Sequence, residues 1–239
     1  VKVLAIIPAR SKSVSIKDKN LQEIGKKPLL VWAIEACEDA ALVDDFIVST
    51  DSKKYGKVAQ AYSINKNVFP FTRPSPLAED VPSEDVAIHA IHTYEKICGK
   101  EFDVILTIQC TTPFIKSSDI DKCIIALKDE WYDSSMTVCE MNEKPSWAFE
   151  IIKDGEHENL SNINNNQTYG DWGVRQKWPT LYKPNGMCYA SRRELILERK
   201  QIIGPNCCPI VVDKVRSIDI DDQVDLDIAR AVYEAGLIG

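Results

Sequence analysis

Val3-Leu4-Ala5-Ile6-Ile7-Pro8-Ala9-Arg10-Ser11-Lys12-Ser13-Val14-Ser15-Ile16-Lys17-Asp18-Lys19-Asn20 sets a short apolar run directly against a loop of four cations and three serines. The apolar run, Val3 to Pro8, has no polar face, so it predicts a strand covered on both sides, as in a parallel sheet. The pattern then alternates. Pro28–Ala41 reads as a helix with Leu29, Leu30, Ala33, Ile34 and Cys37 on one face, Phe46–Ser49 as a strand and Ser52–Tyr62 as a helix. Asn67–Pro70 reads as a short strand, Ser83–Ile97 as a helix, Val104–Ile108 as a second fully apolar strand, and Ser118–Leu127 as a helix capped by Ser117 or Ser118. This β-α-β-α order predicts an α/β fold, a doubly wound, mostly parallel sheet with helices on both faces. Such sheets bind ligands beyond the carboxyl ends of their strands, here after Pro8, after Ser49 and after Ile108.

The texture changes near residue 134. Ser135–Glu140 and Trp147–Ile152 read as strands, and an asparagine-rich stretch, Asn159 to Gln167, is too long and polar for an ordinary connection. Residues 141–183 therefore read as an inserted lobe within one domain spanning 1–239. Regular elements return with strands Met187–Ala190, Pro209–Val212 and Ser217–Ile220, and helices Arg192–Glu198 and Asp222–Ala235.

A net charge of −7 disfavours a nucleic-acid backbone or an anionic membrane as partner, and an anionic substrate then needs a local group of cations. No stretch reaches the roughly 20 apolar residues of a membrane span, and no basic leader precedes the first strand; both predict a cytoplasmic protein. The eight cysteines lack CxxC spacing and read as free thiols. His89 and His92 read as ordinary helix residues rather than zinc ligands.

Four segments carry chemistry. The first loop offers small residues and backbone N–H groups that can wrap a phosphate, with Arg10 able to engage it bidentately, or it is a solvated basic loop. Arg73-Pro74-Ser75-Pro76-Leu77-Ala78-Glu79-Asp80 precedes a helix and reads as a ligand contact or a stiffened turn. Gln109, at the end of a buried strand, offers a donor and an acceptor that suit a pyrimidine edge or a sugar hydroxyl. In Ser217-Ile218-Asp219-Ile220-Asp221-Asp222, strand alternation puts Asp219 and Asp221 on one face. Two such carboxylates either hold Mg²⁺ or are solvated beside a helix cap at Asp222.

The ordered motifs Ile6–Asn20, Arg73–Asp80, Thr107–Phe114, Arg175–Tyr189 and Ser217–Ala229 resemble the acylneuraminate cytidylyltransferase family, also called CMP-sialic acid synthetases. The resemblance implies a CTP-binding domain with a small dimerisation lobe, and a homodimer. It implies attack of a sugar acid's anomeric hydroxyl on the α-phosphate of CTP, with Mg²⁺ assisting and pyrophosphate leaving. Arg10, Ser11, Lys19, Asn20, Arg73 and Ser83 then correspond to nucleotide contacts. Gln109, Arg175, Asn185 and Tyr189 correspond to sugar contacts, with Arg175 delivered from the partner subunit. Asp219 and Asp221 correspond to the metal pair, and with Arg10 to the catalytic set. The chain departs from the family's loop: Lys12 and Ser15 stand in place of glycines and Val14 in place of a lysine that faces the triphosphate, so Lys12 or Lys17 is expected to supply that charge. Trp147, close to Lys144, stands in place of a lysine of the family's lobe. The implied substrate is a nine-carbon 2-keto-3-deoxy acid of the sialic or legionaminic type. The alternatives are an eight-carbon acid, or a degenerate homologue that binds nucleotide without turnover.

Overall fold

A computed structural model of the chain describes residues 1–64, 71–142, 145, 148–154, 157–162 and 179–238. Its centre is a six-stranded sheet built from β1 (Val3–Pro8), β4 (Asp45–Ser49), β5 (Val104–Ile108), β6 (Ser134–Glu140), β9 (Tyr182–Arg192) and β10 (Cys207–Val211), in the order β10-β6-β9-β5-β1-β4. The β1/β4, β1/β5 and β10/β6 pairs are parallel, and only β9 runs against its neighbours. A mostly parallel, doubly wound α/β fold results.

The alternation of β1 explains both layers. Val3, Ala5 and Ile7 pack with α1 (Leu29–Glu38), α2 (Lys53–Tyr62) and α4 (Ser117–Ala126), through Leu30, Ile34, Cys37, Tyr55, Ile120 and Cys123. Leu4 and Ile6 face the opposite layer, with Ala90, Ile91 and Tyr94 of α3 (Ser83–Cys98) and Ile196 of α5 (Arg193–Arg199). Each such aliphatic chain, fully removed from water, contributes about 1.5–3 kcal/mol.

A smaller cluster forms where α6 (Gln223–Glu234) meets a hairpin of β2 (Glu23–Ile24) and β3 (Lys27–Pro28), which the sequence reading missed. Gly25 and Lys26 both have positive φ, 60° and 65°, as a two-residue type I′ turn demands. Gly25 is also required by packing, because a Cβ there would fall inside the ring of Tyr233.

Several boundaries differ from expectation. Ser217–Ile220 is not a strand. Besides a turn bond from Ser217 N to Lys214 O at 3.1 Å, it makes one backbone bond to another element, from Ile220 N to Thr111 O at 2.9 Å, and it buries Ile220 in the small cluster. Lys116, not Ser117 or Ser118, precedes α4, because the Asp119 carboxylate accepts the Lys116 N–H at 3.2 Å and starts the helix one residue early. The strand predicted over Met187–Ala190 extends to Tyr182–Arg192, since its outer part pairs with β6 from Val138 to Glu140. Ser52 and Asp222, expected as the first residues of their helices, lie just outside them as side-chain caps. The expected strand Asn67–Pro70 lies outside the described residues. In the region read as a lobe, β7 (Phe149–Asp154) and β8 (His157–Asn162) form a two-stranded sheet that, among the described residues, pairs with no other strand. All eight cysteines are free thiols, five of them buried. No described helix is long and apolar enough to cross a membrane.

Candidate active site

Three cavities meet at Gln109, the residue just past the carboxyl end of β5. The first, about 240 Å³, is lined by Arg10, Arg73, Ser83 and Thr107. The second, about 620 Å³, is lined by Arg10, Ser13, Val14, Ser15, Lys19, Asn20, Gly186, Tyr189, Asp219 and Asp221. The third, about 310 Å³, is lined by Ser83, Glu84, Tyr189, Gln201, Ile202 and Ile203. The cleft therefore sits beyond the carboxyl ends of β1 and β5, where a sheet of this kind offers it.

Arg73 is the most constrained cation. It is 4% exposed, its backbone N–H is held by Thr50 O at 2.8 Å, and its Nε finds no acceptor among the described residues. Burial pulls its pKa down, Asp51 opposes this, and Arg10 adds repulsion. A buried, partly unpartnered guanidinium is costly, so a ligand that brings acceptors is favoured there. Arg10 reaches across the cleft toward Glu79 O at 3.3 Å and Asp80 Oδ1 at 3.4 Å. Ser83 starts α3, whose N-terminus has no side-chain cap and so keeps backbone N–H groups for an anion or acceptor.

Asn20 is buried, and its Nδ2 holds Arg10 O at 3.1 Å, which fixes the base of the first loop. Ser11 spends both donors on Asp51, N–H at 2.8 Å and hydroxyl at 2.6 Å, and does not line a cavity. Lys19 spans from the loop to the acidic strap, donating to Ile220 O at 2.9 Å and Asp221 O at 3.1 Å. Ser15 also donates to Asp221 O. The strap is anchored at its other side by Arg216, paired with the buried Asp119 at 2.5 Å.

Asp219 and Asp221 both line the large cavity, although they do not lie on a strand. Burial raises the Asp219 carboxyl, a bond from Thr111 partly offsets this, and repulsion from Asp221 raises it further. Asp225 accepts the Asp221 N–H at 3.0 Å and so orients that residue. Gly186, at φ 78°, gives Asp219 its room, because a Cβ would stand 3.1 Å from Oδ2. Among the described residues no group of three or more His, Cys, Asp and Glu is arranged for a metal. A pair of mutually repelling carboxylates nonetheless fits Mg²⁺, which takes one or two carboxylates and completes its shell with water and phosphate.

The cleft gathers most of the sequence-predicted residues but not all. Asn185 is buried, and its amide is used within the fold, donating to Ser217 Oγ at 2.9 Å and accepting the Met187 N–H at 3.3 Å. Arg175 and Trp147 lie outside the described residues. Asp51, Gly186 and Asp225 were missed from sequence. Their signals were a carboxylate soon after β4, a glycine beside the expected Asn185, and a second acid three residues after the Asp222 cap.

A sequence model described as "Cytidylyltransferase" matches residues 4–218. The chain belongs to the cytidylyltransferase family. It is 29% identical over 235 residues to the N-acylneuraminate cytidylyltransferase of Escherichia coli, covering 98% of this chain and 52% of that protein. It thus spans about half the length of that curated relative. The CMP-N,N'-diacetyllegionaminic acid synthase of Legionella pneumophila is 28% identical over 237 residues, covering 98% of this chain and 97% of the relative. A solved CMP:2-keto-3-deoxy-manno-octonic acid synthetase complexed with CTP superposes with a TM-score of 0.71 over 99% of this chain and 100% of the other. At 17% identity that likeness speaks for the fold alone.

Within this family member the loop departures have visible consequences. Val14 is 99% exposed at the cavity's edge and brings no charge. Lys12 is engaged with Glu79 at 2.6 Å, which raises its pKa, and Lys17 does not line a cavity. The cations that do line the described cleft are Arg10, Arg73 and Lys19.

Proposed function

We propose that this chain joins CMP from CTP to a nine-carbon 2-keto-3-deoxy sugar acid of the sialic or legionaminic type, releasing pyrophosphate. The observation that carries this reading is the convergence of three cavities on Gln109, one lined by Arg10 and Arg73 and one by Arg10, Lys19 and the carboxylate pair. Two relatives matching nearly the whole chain are named for CMP transfer to such acids.

In this reading the smallest cavity takes the base, against Arg73 and Ser83. Arg10, Lys19 and Asn20 hold the triphosphate in the large one. Gln109 and Tyr189 orient the sugar acid, with its tail toward Ile202 and Ile203. Phosphoryl transfer demands mainly positioning and charge neutralisation, which these groups supply without a dedicated base. Asp219 and Asp221 would hold Mg²⁺, whose charge lowers the pKa of an attacking hydroxyl and balances the phosphates. The expected assay is pyrophosphate release with a panel of eight- and nine-carbon acids against CTP and UTP. A nine-carbon acid with CTP should be fastest. UTP should be slower, because exchanging cytosine's amino donor for a carbonyl leaves buried groups unpaired at about 1–3 kcal/mol each. Preference for the eight-carbon acid, equal use of UTP, or nucleotide binding without turnover would each contradict the reading.

The reading includes a homodimer built on the region 141–183, with Arg175 reaching the partner's sugar site. Support comes from the β7–β8 hairpin, too small to be stable alone, where the register partners Ile151 and Leu160 are 68% and 61% exposed. Sedimentation at micromolar concentration should give twice the chain mass; a single-chain mass would remove the dimer. The cytoplasm suits this reaction, since it supplies CTP and keeps the thiols of eight cysteines reduced.

A further inference from the structure

We propose that Asp51 is a positioning residue for the nucleotide, fixing the phosphate loop on one side of the cleft and supporting Arg73 on the other. The proposal rests on reading the cleft as a CTP site.

The end of β4 braces both walls through three consecutive residues. Ser49 O accepts the Ala9 N–H at 2.9 Å and Thr50 O accepts the Arg73 N–H at 2.8 Å. Asp51 then closes on Ser11, Oδ1 to the backbone N–H at 2.8 Å and Oδ2 to the hydroxyl at 2.6 Å. A carboxylate that accepts two donors from one residue fixes that residue's orientation as well as its place. Ser11 follows Arg10 and lies two residues before Ser13, Val14 and Ser15, which line the large cavity, so its orientation sets where the loop's N–H groups point.

The same carboxylate supports the second wall. Arg73 is buried, repelled by Arg10, and attracted by Asp51. Asp51 makes no ion pair within 4 Å among the described residues, so its charge remains available to the field at Arg73. The ordinary reason for an acid here, capping the next helix, does not apply. Ser52 caps α2, accepting the Tyr55 N–H at 3.4 Å. Asp51 lines none of the three cavities, so its action on the ligand passes through Ser11 and Arg73.

The test measures CTP binding by calorimetry, without sugar acid, for Asp51→Ala, Asp51→Asn, Ser11→Ala and the Ser11→Ala/Asp51→Ala double variant, alongside KM for each substrate, kcat and Tm. Asp51→Ala should weaken CTP binding on the order of tenfold, the effect of losing one or two charge-assisted hydrogen bonds. The sugar acid's KM and kcat should change by less than about threefold, because Gln109 and Tyr189 are untouched. Asp51→Asn keeps an acceptor for Ser11 without the charge, so it should fall between wild type and Asp51→Ala. The double variant should bind no worse than Asp51→Ala, since both remove one interaction. CTP affinity within twofold of wild type in Asp51→Ala overturns the proposal, as do fully additive effects. Equal loss for both substrates with a lowered Tm also overturns it, leaving a merely structural role. If Asp51→Ala does not fold, Asp51→Asn and Ser11→Ala decide by the same CTP-against-sugar split. A wild-type chain that does not bind CTP overturns this proposal and the proposed function together. A wild type that binds CTP beside unaffected variants overturns this one alone.

Discussion

Asp219→Asn is expected to lower turnover about a hundredfold, ~2.7 kcal/mol of barrier, and to leave the fold intact. The substitution removes a formal charge from the carboxylate pair and almost no volume. The sign of the stability effect follows from the raised carboxyl. Burial and the charge of Asp221 lift Asp219 above its ordinary value, so the unfolded chain releases this proton more readily than the folded one. Stability is therefore lost as pH rises from the ordinary carboxyl range through the raised native value, and a neutral side chain does not incur that loss. Asp219→Asn should melt at or above the wild-type temperature while losing activity. In the metal-free protein the Asp219 carboxyl should titrate above an ordinary carboxylate, and Asp221→Asn should move it toward lower pH. Wild-type turnover of Asp219→Asn at limiting Mg²⁺ would remove the metal assignment.

Arg73→Met should weaken CTP binding by one to two orders of magnitude, in line with about 1.5–3 kcal/mol for a hydrogen bond to a charged group. Methionine fills much of the volume and adapts to its surroundings, which limits the cavity penalty. The variant also loses a buried charge that desolvation and Arg10 disfavour in the free protein. Its Tm should consequently hold or rise. Calorimetry against CTP and a thermal melt read both effects, and unchanged affinity would exclude Arg73 from the nucleotide site.

These two residues also show how far the sequence could be read. The sheet was legible because β1 and, apart from Thr107, β5 are apolar throughout and alternate with helical runs, a pattern that suits a two-sided parallel sheet. The cleft followed from that sheet; Arg10 and Gln109 were singled out at strand ends, Arg73 by the segment before a helix, and Asp219 and Asp221 by alternation along an expected strand. Asp219 and Asp221 reached one cavity for a reason other than the one expected. They ride on an irregular strap held by Lys19, Thr111 and Arg216, a tertiary arrangement that alternation along a strand cannot reveal. Asp51 was invisible for a similar reason: Thr50-Asp51-Ser52 reads as a helix start, and only folding brings Ser11 to its carboxylate. Asn185 was chosen by resemblance, but burial gave its amide to Ser217 and Met187. The β2–β3 hairpin escaped because two-residue strands carry no periodicity, leaving Gly25 as its one signal.

The central claim is the making of a CMP–sugar bond, and ³¹P nuclear magnetic resonance follows that bond directly. The purified chain would be mixed with CTP, Mg²⁺ and a nine-carbon 2-keto-3-deoxy acid. The account predicts loss of the three CTP signals with growth of one phosphodiester signal and of a pyrophosphate signal of twice its intensity. Unchanged CTP with every acid tried, or conversion to CDP and phosphate, would contradict it.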